Sequence, residues 1–226
     1  MTQFTNLAER RTSVDEVFDA LHHDIVTLKL MPGTKISEAE IASQFSVSRQ
    51  PVRDAFARLG NLGLLLIRPQ KATVIRKFSI PEISHARFVR TAIEVEVLRS
   101  AVLNWSEIDA TDIRENMAQQ SAAVAAKDTD RFHELDYKFH KLLCLAAGFE
   151  LAFETIAEMK TKVDRLCRLS LAEPTEMEIL LEDHKRVVAA LDAGDFAALE
   201  AAIRAHLARL DSVVEKIQQE HSEYFE

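Results

Sequence analysis

Four residues in the second half of the chain have side chains of the types that commonly bind divalent metals in proteins. Asp136 and His140 are four residues apart, which places them on one side of a helix. His184 and His206 each fall in phase with the apolar residues of their own predicted helices. One core-facing histidine is usually an ordinary core residue, but three of them with a carboxylate are harder to explain in that way. Each unpaired polar group would cost about 1–3 kcal/mol when buried, and a shared cation would satisfy all four.

A second group of residues could read DNA. Ser37 and Glu40 form a capping-box pattern at the start of a short helix, and Ser48 can cap the next helix. Pro51 lies in the first turn of that second helix, where its missing N–H costs nothing. The polar residues on the outer side near its N-terminus are Arg49, Gln50 and Arg53. A recognition helix presents base-reading and phosphate-binding side chains at this end.

The pattern after this helix pair predicts a β-hairpin wing. Two short strands are expected at 64–67 and 73–76, around a tip that carries Arg68 and Lys71. Spacing alone leaves an alternative open, in which two ordinary surface helices are joined by a tight turn. The wing beside the helix pair favours the DNA-binding interpretation.

Residues 12–77 resemble the winged helix of the GntR family of bacterial transcription regulators. The segments that carry this resemblance are Met31-Pro32-Gly33, Ile36-Ser37-Glu38, Ile41-Ala42, Val47 through Arg53 and Leu59 through Leu64. The resemblance implies a DNA-binding function for the outer residues of the second helix and for the wing. The residues expected to contact DNA are Ser48, Arg49, Gln50, Arg53 and Lys71.

The distribution of charge agrees with this division of labour. The whole chain has a net charge of −8, which at first argues against nucleic-acid binding. Residues 28–77, however, contain 9 basic and 3 acidic side chains, whereas residues 78–226 contain 17 basic and 28 acidic ones. The positive charge that phosphate contacts require is therefore confined to the first part of the chain. The acidic remainder is a poor partner for nucleic acid or an anionic membrane surface.

From residue 78 onward the pattern is almost entirely helical. The predicted helices cover 79–105, 106–127, 128–147, 149–171, 174–193 and 195–219. Helices with such short connections pack antiparallel as a bundle. We therefore predict a mainly α fold: an N-terminal winged helix-turn-helix of three helices plus a β-hairpin wing (1–77), then an antiparallel all-helical bundle (78–226).

The helical part resembles the FCD-type effector domain found behind the winged helix in the FadR-like subfamily. Asp136, His140, His184 and His206 match one for one the positions that bind a divalent metal in that domain. The step from Arg90 to Glu94 also fits. Some members lack the metal set and bind acyl-CoA, and the intact set argues against that here. The donor set suits Zn²⁺, Ni²⁺, Mn²⁺ or Fe²⁺, and the sequence does not choose among them.

Four protein ligands would close a tetrahedral site but leave positions open at an octahedral one. We expect the open case, with a small carboxylate, hydroxy-acid or sugar-acid effector completing the coordination. Arg90 is the candidate for a bidentate clamp on that carboxylate, with an ion pair to Glu94 as an equal alternative. Arg165 and Arg168 are further candidates for effector binding, although we expect each to be solvated.

The resemblance to the GntR family implies a homodimer and a repressor. Together with these parts it predicts a cytoplasmic protein whose affinity for double-stranded operator DNA is controlled by the effector. No apolar run approaches the ~18 residues that cross a bilayer, so no membrane partner is expected. A metal-dependent hydrolase or lyase using the Asp/His cluster is the alternative class. It would need a general base that the sequence does not display, and it leaves the basic winged helix unexplained. In a third reading the metal is structural or is itself the signal.

Overall fold

The protein is described here by a computed structural model that covers residues 12–68, 71–105, 109–171, 173 and 175–226. It divides into two compact units. One contains the residues up to Phe78 together with Glu223–Glu226, and the other contains Ser79–Ser222. The last four residues thus belong with the first unit, which the sequence pattern did not indicate. No helix in the described part of the chain is long and apolar enough to span a bilayer.

The first unit is a winged helix. Its elements are α1 (Ser13–Val26), β1 (Lys35–Ile36), α2 (Glu38–Gln44), α3 (Arg49–Asn61), β2 (Leu65–Leu66) and β3 (Thr73–Ile75). The strands form one antiparallel sheet in the order β1-β3-β2, with Lys35 opposite Val74 and Leu65 opposite Ile75. The two predicted wing strands are present, and β1 is an additional strand that the sequence analysis missed.

Local sequence explains the helix pair in this unit. The Ser37 hydroxyl accepts a hydrogen bond from the backbone N–H of Glu40 at 3.2 Å and so caps α2. Ser48 occupies the N-cap position of α3, but its side chain makes no capping hydrogen bond there, contrary to expectation. Gly63 follows α3 with a φ of +71°, a left-handed conformation that glycine adopts without strain. The apolar faces meet in a core that includes Val17, Leu21, Ile25, Val52, Phe56, Leu59 and Ile75.

The second unit is a helical bundle. Its helices are α4 (Ile80–Leu103), α5 (Thr111–Ala126), α6 (Thr129–Ala146), α7 (Glu150–Leu171), α8 (Glu176–Ala193) and α9 (Phe196–Glu220). Asp128 caps α6 and Asp195 caps α9, each accepting a backbone N–H on its side chain. Gly194 ends α8 in a left-handed conformation, which glycine adopts without strain. The mainly helical fold class is confirmed.

The core of the bundle is formed by facing apolar stripes. Its largest cluster includes Leu98, Phe139, Leu143, Val187, Leu191, Leu199 and Ile203. These residues come from α4, α6, α8 and α9, the helices that also carry the predicted metal ligands and Arg90. Because this core packs those helices together, it fixes the relative positions of their polar side chains.

The end of the chain forms part of the winged-helix unit through backbone pairing and side-chain packing. Phe225 is buried and pairs with Phe78 as a parallel β-bridge, with ring centroids 5.4 Å apart. The N–H of Phe78 donates to the carbonyl of Tyr224 at 2.8 Å, and the N–H of Glu226 donates to the carbonyl of Phe78 at 3.0 Å. The Glu226 carboxylate also lies 3.4 Å from Arg76 Nε.

Replacing this buried ring tests whether the tail stabilises the winged helix. Phe225→Ala should lower the free energy of unfolding of that unit by about 3 kcal/mol, because it empties a packed aromatic site. Hydrogen exchange of backbone amides in residues 12–78 measures this, since the single tryptophan, Trp105, lies in the other unit. Phe149→Ala, at a ring that is 48% exposed in the bundle, is the control and should leave those amides unchanged. Equal protection in Phe225→Ala and wild type would contradict a stabilising tail.

Candidate functional site

Three helices bring the four predicted metal ligands together in the bundle. α6 supplies Asp136 and His140 one turn apart, α8 supplies His184, and α9 supplies His206. All four side chains are buried, and one potential ligand atom from each lies within 4.8 Å of the others. The structure therefore joins residues separated by 70 positions in the sequence into one compact cluster.

The protonation of His184 is set by a chain of amide hydrogen bonds. Asn116 Nδ2 donates to the carbonyl of Leu135 at 3.1 Å, so its Oδ1 can accept from Gln120 Nε2 at 2.7 Å. Gln120 then presents Oε1 to His184 Nδ1, 2.8 Å away. Because an amide oxygen only accepts, Nδ1 must carry the proton. The lone pair is left on Nε2, which is buried without a hydrogen-bond partner.

His140 is held in a comparable way by a carboxylate. Its Nδ1 lies 2.6 Å from Glu94 Oε2, and Arg90 Nε donates to the other oxygen of Glu94 at 2.9 Å. Burial alone would raise the pKa of Glu94, but the contact with His140 and the charge of Arg90 outweigh it and lower that pKa to about 2. Glu94 is therefore an ionised carboxylate that lies against the His140 ring. On His206, Nδ1 lies 3.8 Å from Asp183 Oδ2.

The histidines of the cluster are in the state that metal binding needs. Burial lowers the pKa of His140, His184 and His206 below the ordinary value, which favours neutral rings at pH 7. Metal-ligating histidines are neutral, and they usually give their other ring N–H to a carboxylate or carbonyl group. Gln120 and Glu94 provide such partners, and His184 Nε2 is an orphaned lone pair. The cluster consequently has the donor set and the supporting contacts of a divalent-metal site.

Asp136 has a different neighbour on each of its oxygens. Oδ1 faces the imidazoles, at 3.4 Å from His184 Nε2 and 3.9 Å from His140 Nε2. Oδ2 accepts a hydrogen bond from the ammonium group of Lys160, a buried residue of α7. Burial alone would raise the pKa of Asp136, but the charge of Lys160 outweighs it and holds that pKa well below its usual range. The carboxylate is therefore ionised in the folded protein.

A cavity of about 70 Å³ adjoins the cluster. Its polar lining includes Asp136, His140, His206, Arg90, Lys160 and His133, and its apolar lining includes Phe132, Val163, Leu171, Leu180, Leu207, Leu210 and Val213. A small anion with one apolar side fits this division of the wall. Burial lowers the pKa of His133 to about 4, so this ring is neutral at pH 7 as well.

Of the three arginines expected to bind an effector, the structure brings one to this cavity. Arg90 is buried at its wall, with Nη2 3.4 Å from His140 Nε2, while Nε pairs with Glu94 as the alternative interpretation had it. Arg165 and Arg168 are not among the described lining residues. Arg165 is buried rather than solvated, and Arg168 is mostly buried in an ion pair with Asp130. Arg165 lies on the buried face of α7, so the expectation that it is solvated was wrong, and Arg168 is only partly exposed.

The predicted DNA-contacting residues lie on the winged-helix unit. Ser48, Arg49 and Gln50 are exposed at the N-terminal end of α3. Gln50 Nε2 donates to Asp54 at 2.8 Å, and exposed Arg53 pairs with Glu38 at 3.0 Å. Lys71 is exposed beside the wing tip, where positions 69 and 70 lie outside the described residues. All five predicted positions are therefore exposed, and their contacts with DNA stay a prediction.

Sequence reasoning missed four polar residues that support the cluster: Glu94 as a histidine partner, Asn116, Gln120 and Lys160. A signal existed for two of them. The buried positions of α5 are Ile113, Asn116, Gln120 and Ala123, which share one helical face. Two amide side chains on the apolar face of a helix need buried hydrogen-bond partners, so this pattern could have indicated that Asn116 and Gln120 support a buried polar site. Lys160 had no such signal, because lysine is also the commonest choice for a solvated helix position.

A winged helix with an exposed, basic second helix, in a chain that also carries a helical bundle with a cavity, is typical of DNA-binding regulators. Residues 13–75 match the family of bacterial regulatory proteins, gntR family, and residues 86–209 match the FCD domain family. The chain belongs to the GntR family and carries an FCD domain.

Named relatives agree with this assignment. The chain is 37% identical to the HTH-type transcriptional repressor RspR of Escherichia coli K12, in an alignment that covers 100% of this chain and 99% of that protein. It is 25% identical to the gluconate operon transcriptional repressor of Bacillus licheniformis, over 76% of this chain and 72% of that protein. Among solved structures, a GntR regulator from Rhodococcus sp. RHA1 shares the fold, with a TM-score of 0.71 at 18% identity over 89% of this chain and 97% of that one. The protein is thus a DNA-binding transcriptional regulator and not an enzyme.

The amide chain behind His184 gives a test of the metal site. Gln120→Leu should lower divalent-metal affinity by about 10- to 100-fold, because His184 loses the partner that fixes its proton and orientation. Competition against a chelating dye measures the affinity, with circular dichroism to confirm folding. Gln119→Leu, at the exposed neighbouring position, is the matched control and should bind metal as wild type does. Wild-type affinity in Gln120→Leu would show that the amide does not support a ligand.

Proposed function

We propose that this protein is a homodimeric, cytoplasmic repressor whose operator affinity is controlled by a small carboxylate bound at a divalent metal in the FCD domain. The observation that carries the proposal is the buried cluster of Asp136, His140, His184 and His206, with its ligand atoms within 4.8 Å of one another. When bound, the metal supplies open coordination positions to the carboxylate of the effector. The protein residues hold and orient the ligands and bind the rest of the effector.

Arg90 is the residue that we assign to the effector carboxylate. It lies at the cavity wall, and its Nε is engaged with Glu94 while Nη2 faces His140. A guanidinium has five N–H donors, so the pair with Glu94 leaves others for an anion. Glu94 then has two tasks, since it fixes both the arginine and the His140 ring. Small hydroxy acids and sugar acids match the size and polar wall of the cavity, and the named gluconate operon repressor supports that class.

DNA recognition falls to the exposed end of α3. In a homodimer, two such helices would read a two-fold related operator. Arg49 and Arg53 would contact base edges or phosphates, Gln50 could read an adenine edge, and Ser48 and Lys71 would reach the backbone. Arg53 and Gln50 are held by Glu38 and Asp54 in the free protein, so DNA has to replace those contacts. Effector binding changes operator affinity only if it prefers one arrangement of the dimer.

The recognition helix is tested by Arg49→Ala. We expect this variant to lose specific operator binding, because Arg49 is exposed at the end of α3 that enters the major groove. Removal of one good bidentate contact costs about 1–3 kcal/mol, or roughly 5- to 150-fold in affinity. Fluorescence anisotropy with operator and scrambled duplexes measures it. Arg204→Ala, at an exposed arginine of α9, is the control. The metal content of Arg49→Ala should be unchanged. An operator affinity of Arg49→Ala equal to that of wild type would contradict the assignment of α3 as the recognition helix.

Metal and effector are tested together by thermal melting. The metal-loaded protein should gain stability with one acid from a panel of small carboxylates and sugar acids, about 2.7 kcal/mol at 100 times its Kd. Stripping with chelator should abolish that gain, and so should His184→Ala, which removes a buried ligand. His85→Ala, outside the cluster, is the control. If the acid still stabilises the protein after the metal is lost, the proposal is contradicted. If the metal binds but no acid raises the melting temperature, the site is structural or senses the metal itself.

A further inference from the structure

Lys160 is a buried cation at the cavity wall that no part of the proposed function yet uses. It lies on α7, is 2% exposed, and donates to Asp136 Oδ2 while the imidazoles face Oδ1. Asp136 is thus shared between an ammonium group and the face of the cluster where a metal would bind. An ammonium group has three donors, so one bond to Asp136 leaves two for another acceptor.

The charges around the cavity balance without a metal. Arg90 is paired with Glu94, and Lys160 with Asp136, which gives two buried cations and two buried anions. At the cavity mouth, Arg87 pairs with Asp211 and Arg209 with Asp183. Asp164 also lies near Lys160, and burial raises its pKa. A divalent ion would therefore add two positive charges beside ion pairs that are already matched.

We infer that Lys160 is a second anion-binding residue of the effector site, and that it weakens the binding of metal alone while strengthening the binding of metal together with a carboxylate. The inference rests on the proposed function, because it concerns the same site. Like charges in a buried cluster are little screened, so the ammonium group opposes a second cation on the same carboxylate. An incoming carboxylate supplies the missing negative charge and accepts from the free donors of Lys160. Metal and anion consequently help each other to bind.

The test measures nickel affinity by competition against a chelating dye, in sodium acetate and in sodium chloride at equal ionic strength. Lys160→Met should bind Ni²⁺ about tenfold more tightly than wild type in chloride, because the opposing charge is gone. Acetate should tighten nickel binding to wild type, and that effect should be largely lost in Lys160→Met. Lys162→Met, at an exposed lysine on the same helix, is the matched control and should behave as wild type in both salts.

The outcomes separate this inference from the function on which it rests. If wild type binds nickel stoichiometrically, and Lys160→Met has the same nickel affinity and the same response to acetate as wild type, the role of Lys160 is overturned but the proposed function is not. If wild type does not bind nickel stoichiometrically, both the role of Lys160 and the proposed metal site are overturned. Lys160→Gln, which keeps a hydrogen bond to Asp136 but not the charge, provides a second variant should Lys160→Met fold poorly. It should shift nickel affinity and acetate response in the same directions, and unchanged values would equally overturn the inference.

Discussion

The structure of the helical unit depends on how one buried carboxylate, Asp136, is neutralised. An ionised carboxylate inside a bundle is tolerated only when cations and hydrogen-bond donors surround it. Asp136 meets this requirement through Lys160, whose ammonium group donates to Oδ2. Asp136 lies on α6 and Lys160 on α7, so the charge of one side chain constrains the packing of two helices.

The histidines impose a second constraint, because each neutral ring has one donor and one acceptor. At His184 the amides of Asn116 and Gln120 consume the donor, and at His140 the Glu94 carboxylate lies against Nδ1. A ring that is held from behind in this way cannot rotate freely to find another partner. The supporting residues come from α4 and α5, which supply no ligand. The face of the cluster that could bind a metal is thus built with help from α4 and α5, and not only by the three helices that carry the candidate ligands.

The sequence predicted the elements whose signals are local, and it singled out the four clustered polar residues because they interrupt apolar stripes. Ser37 before α2, Gly194 after α8, and the four-residue step from Asp136 to His140 are examples, each readable within a few residues. Strand β1 was missed because two residues carry no periodic pattern, and its pairing with β3 spans almost 40 positions. The pairs of Lys160 with Asp136 and Glu94 with His140 were missed for the same reason: an ion pair between helices leaves no mark on either helix.

The pairing of Phe78 with Phe225 changes how the two units are connected. The chain leaves the winged-helix unit at the start of α4 and returns to it after α9, so the bundle is tethered at both of its ends. α4 carries Arg90 and Glu94, α9 carries His206, and the two helices pack against each other. Both chain segments that join the bundle to the winged-helix unit therefore run directly from helices that carry residues of the candidate site.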